Sequence, residues 1–149
     1  MRCSPTVRAG NGCSQTRRWS TRAVEEALRF DSNPGIGMVR YITEDIEISG
    51  TPVPRGTTVM CSMAAANRDA SEFADPEEMD VSRTPNPHLA FGAGAHSCLG
   101  QALARTELQA VLTVLLRRLP ELHLAVAPEE LRRIEGLLVG GLREVPVGW

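Results

Sequence analysis

The sequence predicts a mainly α chain with small β-sheets (α+β), and three observations carry that prediction. One long run, Leu99 to Leu119, repeats apolar residues at three- and four-residue steps, the period of a helix with one apolar face. A second stretch, Met38 to Ser62, consists of short β-rich runs between turn residues. The composition, 42% hydrophobic and 23% charged over 149 residues, is that of one compact domain and not of a disordered chain.

In chain order, residues 1 to 22 carry five arginines (Arg2, Arg8, Arg17, Arg18, Arg22), scattered Ser and Gly and no acid, which reads as an irregular tail. From Thr21 to Asp31 a short helix is expected, with Val24, Ala27 and Leu28 on one face and Glu25 paired to Arg29 at i,i+4 on another; Asn33-Pro34-Gly35 ends it. Met38 to Thr43, Asp45 to Ser49 and Thr57 to Ser62 suggest a small antiparallel meander. Ala64 to Asn67 suits one helical turn, and the Pro- and Gly-punctuated stretch Ala74 to Ala95 is a long ordered loop. The Leu99 to Leu119 helix closes on Arg117, Arg118 and Pro120, cations for the dipole and a residue that cannot continue the helix. Leu122 to Val126 and Leu142 to Val147 alternate as strands do, around a short helical piece from Glu129 to Glu135.

The balance of 16 basic and 18 acidic residues, net charge −2, offers no nucleic-acid or anionic-membrane surface. All the basic residues are Arg, a bias of GC-rich coding sequence with no bearing on fold. The four cysteines, Cys3, Cys13, Cys61 and Cys98, come without an apolar leader or a membrane-length apolar run, so a reducing, cytoplasmic setting is expected. Cys61 is read as an inert core thiol, and Cys3 and Cys13 as tail thiols.

Cys98 stands apart. Gly92, Gly94 and Gly100 surround it, and the segment Phe91 to Gly100 delivers it to the start of the long helix. The partial positive charge and free N–H groups of a helix N-terminus favour a sulfur anion, and glycines let the main chain approach a flat macrocycle. Zinc held by His88, His96 and Cys98 does not suit the spacing, since structural zinc sites take four ligands in short pairs. His88 is read as a surface histidine.

The pattern Phe-x-x-Gly-x-x-x-Cys-x-Gly, matched by Phe91, Gly94, Cys98 and Gly100, resembles the heme-binding loop of the cytochrome P450 monooxygenases, bacterial type. Leu103-Ala104-Arg105 follows as in bacterial members, and Glu26-Ala27-Leu28-Arg29 is similar to the family's Glu-x-x-Arg ion pair behind the heme loop. Met38 to Asp45 resembles the strand carrying a propionate-binding arginine, here Arg40. Ala64 to Asp69, Phe73 to Pro76 and Asn86 to Phe91 are similar to bacterial members as well, so the resemblance runs over residues 23 to 149. One departure is that the arginine and aromatic expected after Asp75-Pro76 are replaced by Glu77, Glu78 and Met79; Arg83 is the candidate to supply that cation.

The resemblance implies the C-terminal part of the cytochrome P450 fold, truncated, with heme (iron protoporphyrin IX) ligated by the Cys98 thiolate, the one metal ligand. It implies that Arg40 and His96 bond the propionates, that Phe91, Gly94 and Gly100 shape the cofactor loop, and that Pro34 to Val39 line the substrate side. It further implies hydroxylation of a small apolar substrate with O2 in the complete enzyme, fed by a ferredoxin or similar donor. Upstream of Glu26 there is no counterpart of the family's distal helix with its acid or amide and threonine. Two further expectations are therefore a heme-binding but catalytically inactive product, and a vestigial one that binds nothing.

Overall fold

The computed structural model describes residues 13–31, 37–134 and 140–149. Helix α1 spans Cys13–Phe30. It is longer than the expected Thr21 to Asp31, because helical geometry continues back through the Arg- and Ser-rich stretch read as an irregular tail. Residues 1–12 of that stretch lie outside the described residues.

The β region is a hairpin inside a hairpin and not a meander. Strand β1 (Met38–Tyr41) pairs antiparallel with β4 (Thr58–Cys61), placing Met38 opposite Cys61 and Arg40 opposite Val59. Between them β2 (Ile46–Ile48) and β3 (Thr51–Val53) form their own ladder. Ser49 (φ 48°) and Gly50 (φ 78°) make its turn, both with positive φ as in type I′ hairpins. Pro52 obscured β3 in the sequence, but a two-stranded ribbon has an open edge on which its missing N–H costs no ladder bond. Gly37 is needed where it stands: φ is +82°, and a Cβ would lie 2.6 Å from the Cys61 carbonyl oxygen.

Helix α2 (Met63–Ala66) is capped by Ser62, whose Oγ accepts the Ala65 N–H at 3.1 Å. The loop from 74 to 93 has no regular element, and helix α3 occupies Gln101–Arg118. Downstream, β5 (His123–Leu124) pairs with β6 (Val147–Gly148), fulfilling in shorter form the expected second sheet. The expected helical piece from Glu129 to Glu135 is a 3-10 turn at Pro128–Glu130; residues 135–139 lie outside the described residues.

Among the described residues the buried hydrophobics are Val24 and Phe73, accompanied by fully buried Glu26, Arg29 and Asn67. Ala27, expected on the apolar face of α1, is exposed. The apolar stripe of α3 is divided: Leu103, Leu108 and Val111 are exposed, and Leu112 and Leu115 are half-buried. Helix α1 packs against the side of α3 that carries Arg105, while Leu99 stays exposed. Cys61, expected in a core, is exposed on β4.

Candidate functional site

Backbone hydrogen bonds shape the loop around Cys98. The Gly92 N–H donates to Leu89 O at 2.9 Å, the Ser97 N–H to Gly94 O at 3.1 Å and the Cys98 N–H to Phe91 O at 2.8 Å, so Phe91 and Cys98 close the segment between them. Gly92 (φ 69°) and Gly94 (φ 74°) take the left-handed conformations that such a closure requires. Gly94–His96 form a 3-10 turn, and Cys98 follows two residues after it, three before the first residue of α3.

The Cys98 thiol is free and exposed. Leu99 beside it is 102% exposed, and a Cβ built on Gly94 would meet nothing within 4 Å. A Cβ on Gly100 would touch Cys98 Sγ at 3.8 Å, so glycine there keeps side-chain bulk away from the sulfur. A presented sulfur, an apolar flank and an uncluttered loop surface fit a flat, largely apolar macrocycle whose metal a cysteine sulfur would hold.

Phe91, Gly94, His96, Cys98 and Gly100 are thus brought together in one loop. Arg40 stands elsewhere, exposed on β1 with Nη1 donating to Val39 O at 3.0 Å. His96 is exposed at the end of the 3-10 turn. Residues 34–36 of the expected substrate-side segment lie outside the described residues.

Behind the loop, Glu26 and Arg29 form a two-pronged pair, Nη2 to Oε1 at 2.8 Å and Nε to Oε2 at 2.9 Å. Arg29 also donates to the carbonyls of Asn67 (2.8 Å), Pro76 (2.8 Å) and Glu78 (3.0 Å). Glu26 accepts from the Asp80 N–H (2.9 Å), Asn86 Nδ2 (3.0 Å) and Arg83 Nε (3.3 Å). Arg83 therefore supplies the cation missing after Asp75-Pro76, and the Glu78 carbonyl, not its carboxylate, faces the pair. Burial pushes the Glu26 carboxyl up, but the bonds from Arg29, Asp80 and Arg83 outweigh it and hold it below the usual range. The bond to Glu26 in turn raises Arg29, against the opposing effect of burial. Asn67 Oδ1 accepts the Leu89 N–H, fastening the approach to the Cys98 loop onto this cluster.

The pairing expected between Glu25 and Arg29 does not form. Adjacent residues on a helix diverge by about 100°, so Glu26 enters the polar cluster while Glu25 faces α3. Glu25 accepts from Arg105 Nε at 2.9 and 3.1 Å and meets His88 Nε2 at 2.9 Å. His88 is not at the surface: its side chain is 2% exposed. Burial raises the Glu25 carboxyl, and the bonds from Arg105 and His88 more than reverse this. The Arg105 guanidinium lies 4.7 Å from the Phe91 ring centre, and the His88 ring 6.4 Å from it. Leu103-Ala104-Arg105 drew notice in the sequence, but nothing there disclosed that Arg105 reaches Phe91.

A family model, Cytochrome P450, matches residues 18–131. The chain belongs to the cytochrome P450 family. It is 47% identical to the mycinamicin IV hydroxylase/epoxidase of Micromonospora griseorubida over 128 residues, 85% of this chain and 32% of that P450. It is 49% identical to the nocardicin C N-oxygenase of Nocardia uniformis subsp. tsuyamanensis over the same shares. Among solved P450 structures, the LnmA hydroxylase of the leinamycin pathway of Streptomyces atroolivaceus superposes with a TM-score of 0.82 at 44% identity, covering 91% of this chain and 36% of that one. The chain thus spans about a third of the length of the P450s it matches. No helix of the described residues is long and apolar enough to cross a membrane.

Proposed function

We propose that this chain supplies the thiolate-bearing side of a heme monooxygenase site that hydroxylates a small apolar substrate with O2. The observation that carries the reading is the Phe91–Cys98 closure, which presents an exposed sulfur ahead of α3. Cys98 would hold the iron through its exposed sulfur. Arg40 and His96 offer the hydrogen-bond donors that propionates need. Phe91, Gly94 and Gly100 keep the loop closed and the approach to the sulfur clear. Bound heme supplies the oxygen-activating chemistry, with electrons from a ferredoxin or similar donor.

The test is heme titration of the full chain followed by reduction under carbon monoxide. The red-shifted thiolate band is expected for the wild type and for Cys61→Ser, and is expected to vanish in Cys98→Ser. A band that survives in Cys98→Ser, or is lost in Cys61→Ser alone, overturns the assignment.

Open apolar surface at the start of α3 favours a second reading, heme binding without turnover, since Leu99, just before the helix, and Leu103 within it stand at 102% and 63% exposure beside the candidate site. Product formed per reducing equivalent separates the two. Peroxide without product supports the second, and efficient hydroxylation by the 149-residue chain refutes it.

A further inference from the structure

We propose that Glu25 is a positioning residue for the Cys98 loop, acting through Arg105 and His88 on Phe91; this rests on the reading of Cys98 as the heme ligand. Glu25 is the shared acceptor for two side chains that contact the Phe91 ring, Arg105 and His88. Arg105 Nε reaches both of its carboxylate oxygens, while Arg105 Nη1 donates to Gln101 Oε1 at 2.9 Å. Those bonds fix the orientation of the planar guanidinium, which lies over Phe91.

The Ala90 N–H donates to His88 Nδ1 at 3.3 Å, which leaves the ring proton on Nε2, where it donates to Glu25 at 2.9 Å. The His88 ring is thereby held tilted at 53° to Phe91. The Phe91 carbonyl accepts the Cys98 N–H, so any play in Phe91 passes by one hydrogen bond to the residue that carries the sulfur. The hydrogen-bond partners of Glu26 (Arg29, Asp80, Arg83 and Asn86) are different from those of Glu25. Neighbouring acids on α1 therefore divide the work: Glu26 fastens the segment before the loop and Glu25 fastens the loop itself.

Amide hydrogen exchange on the heme-free full chain reads this directly, comparing wild type with Glu25→Gln and Arg105→Lys. Glutamine keeps the shape and loses the charge; lysine keeps the charge and loses the plate that covers the ring. In both variants the Cys98 and Ser97 amides are expected to exchange at least about tenfold faster, the scale of one lost charge-assisted contact. The Leu89 amide, held by Asn67, and the β1–β4 amides are expected to hold their rates. Unchanged exchange at Cys98 in either variant overturns the proposal, and so does equal acceleration in β1–β4, which would make Glu25 a general stabiliser. With heme added, Glu25→Gln is expected to convert part of the carbon monoxide complex from the thiolate to the thiol spectrum. Survival of the thiolate band in Cys98→Ser would instead sink the ligand assignment, whatever the exchange rates show.

Discussion

Replacing Arg29 with alanine tests whether the polar cluster organises the fold. Arg29 is 0% exposed, and its hydrogen bonds include two to Glu26 and three to main-chain carbonyls. Glu26 would keep the Asp80 N–H, Asn86 and Arg83, so its charge would not be left wholly unpaired. The heavier loss falls on the Asn67, Pro76 and Glu78 carbonyls, each costing about 1–3 kcal/mol if buried without a donor. Such losses at one site do not add, and breaking a buried pair costs about 3–5 kcal/mol in total. A destabilisation of about 4 kcal/mol, close to a thousandfold in the folding equilibrium, is therefore expected. Urea titration by circular dichroism measures it, with heme retention as the functional counterpart. Arg29→Lys should recover little, because a single ammonium cannot span the same acceptors. A loss below about 1 kcal/mol for Arg29→Ala would mean that the pair behaves as a surface feature and that the reasoning fails.

Acid should unfold the chain through its two adjacent glutamates. Both carboxyls sit below their ordinary value of 4.5 when folded, so the stability they contribute is complete above that pH and falls as pH drops through the folded values. Thermal melts between neutral pH and pH 3 should show that decline, and Glu26→Gln should flatten it. Gly37→Ala should lower the melting temperature more than Gly94→Ala. Both carry the left-handed strain of about 1–2 kcal/mol, but only at Gly37 does the new Cβ strike a carbonyl oxygen, at 2.6 Å. Equal melting temperatures for the two variants would count against that clash.

What could be read from the sequence was local. The Cys98 loop announced itself through glycines at fixed offsets, α3 through its period and its Pro120 stop, and Glu26–Arg29 through a spacing that gained meaning only beside the loop. Even Arg83 could be nominated, because the place after Asp75-Pro76 lacked a cation and Arg83 was nearby in sequence. Contacts across long separations were not legible. Glu25 with Arg29 and Glu25 with Arg105 are equally plausible on paper, and only the docking of α1 on α3 chooses the second. His88 was assigned to the surface because nothing in its neighbourhood in sequence shows that Glu25 comes to cover it. Apolar periodicity gave the helical conformation of α3 but not that its Arg105 would receive Glu25 from α1, since a period records which residues share a side and not what lies against that side.

The polar character of the interior has a calorimetric consequence. Unfolding takes up heat capacity in proportion to the apolar surface it newly wets, ordinarily about 12–15 cal/mol/K per residue. Among the described residues only Val24 and Phe73 are hydrophobic and buried, while Leu99 and Leu103 are already wet in the folded state. The chain should therefore unfold with a heat-capacity increment well below the ordinary figure and a correspondingly shallow response to urea, since both scale with newly exposed area. Its stability curve should be flat, with hydrogen bonds at Arg29 setting the shape of the molecule more than the exclusion of water does.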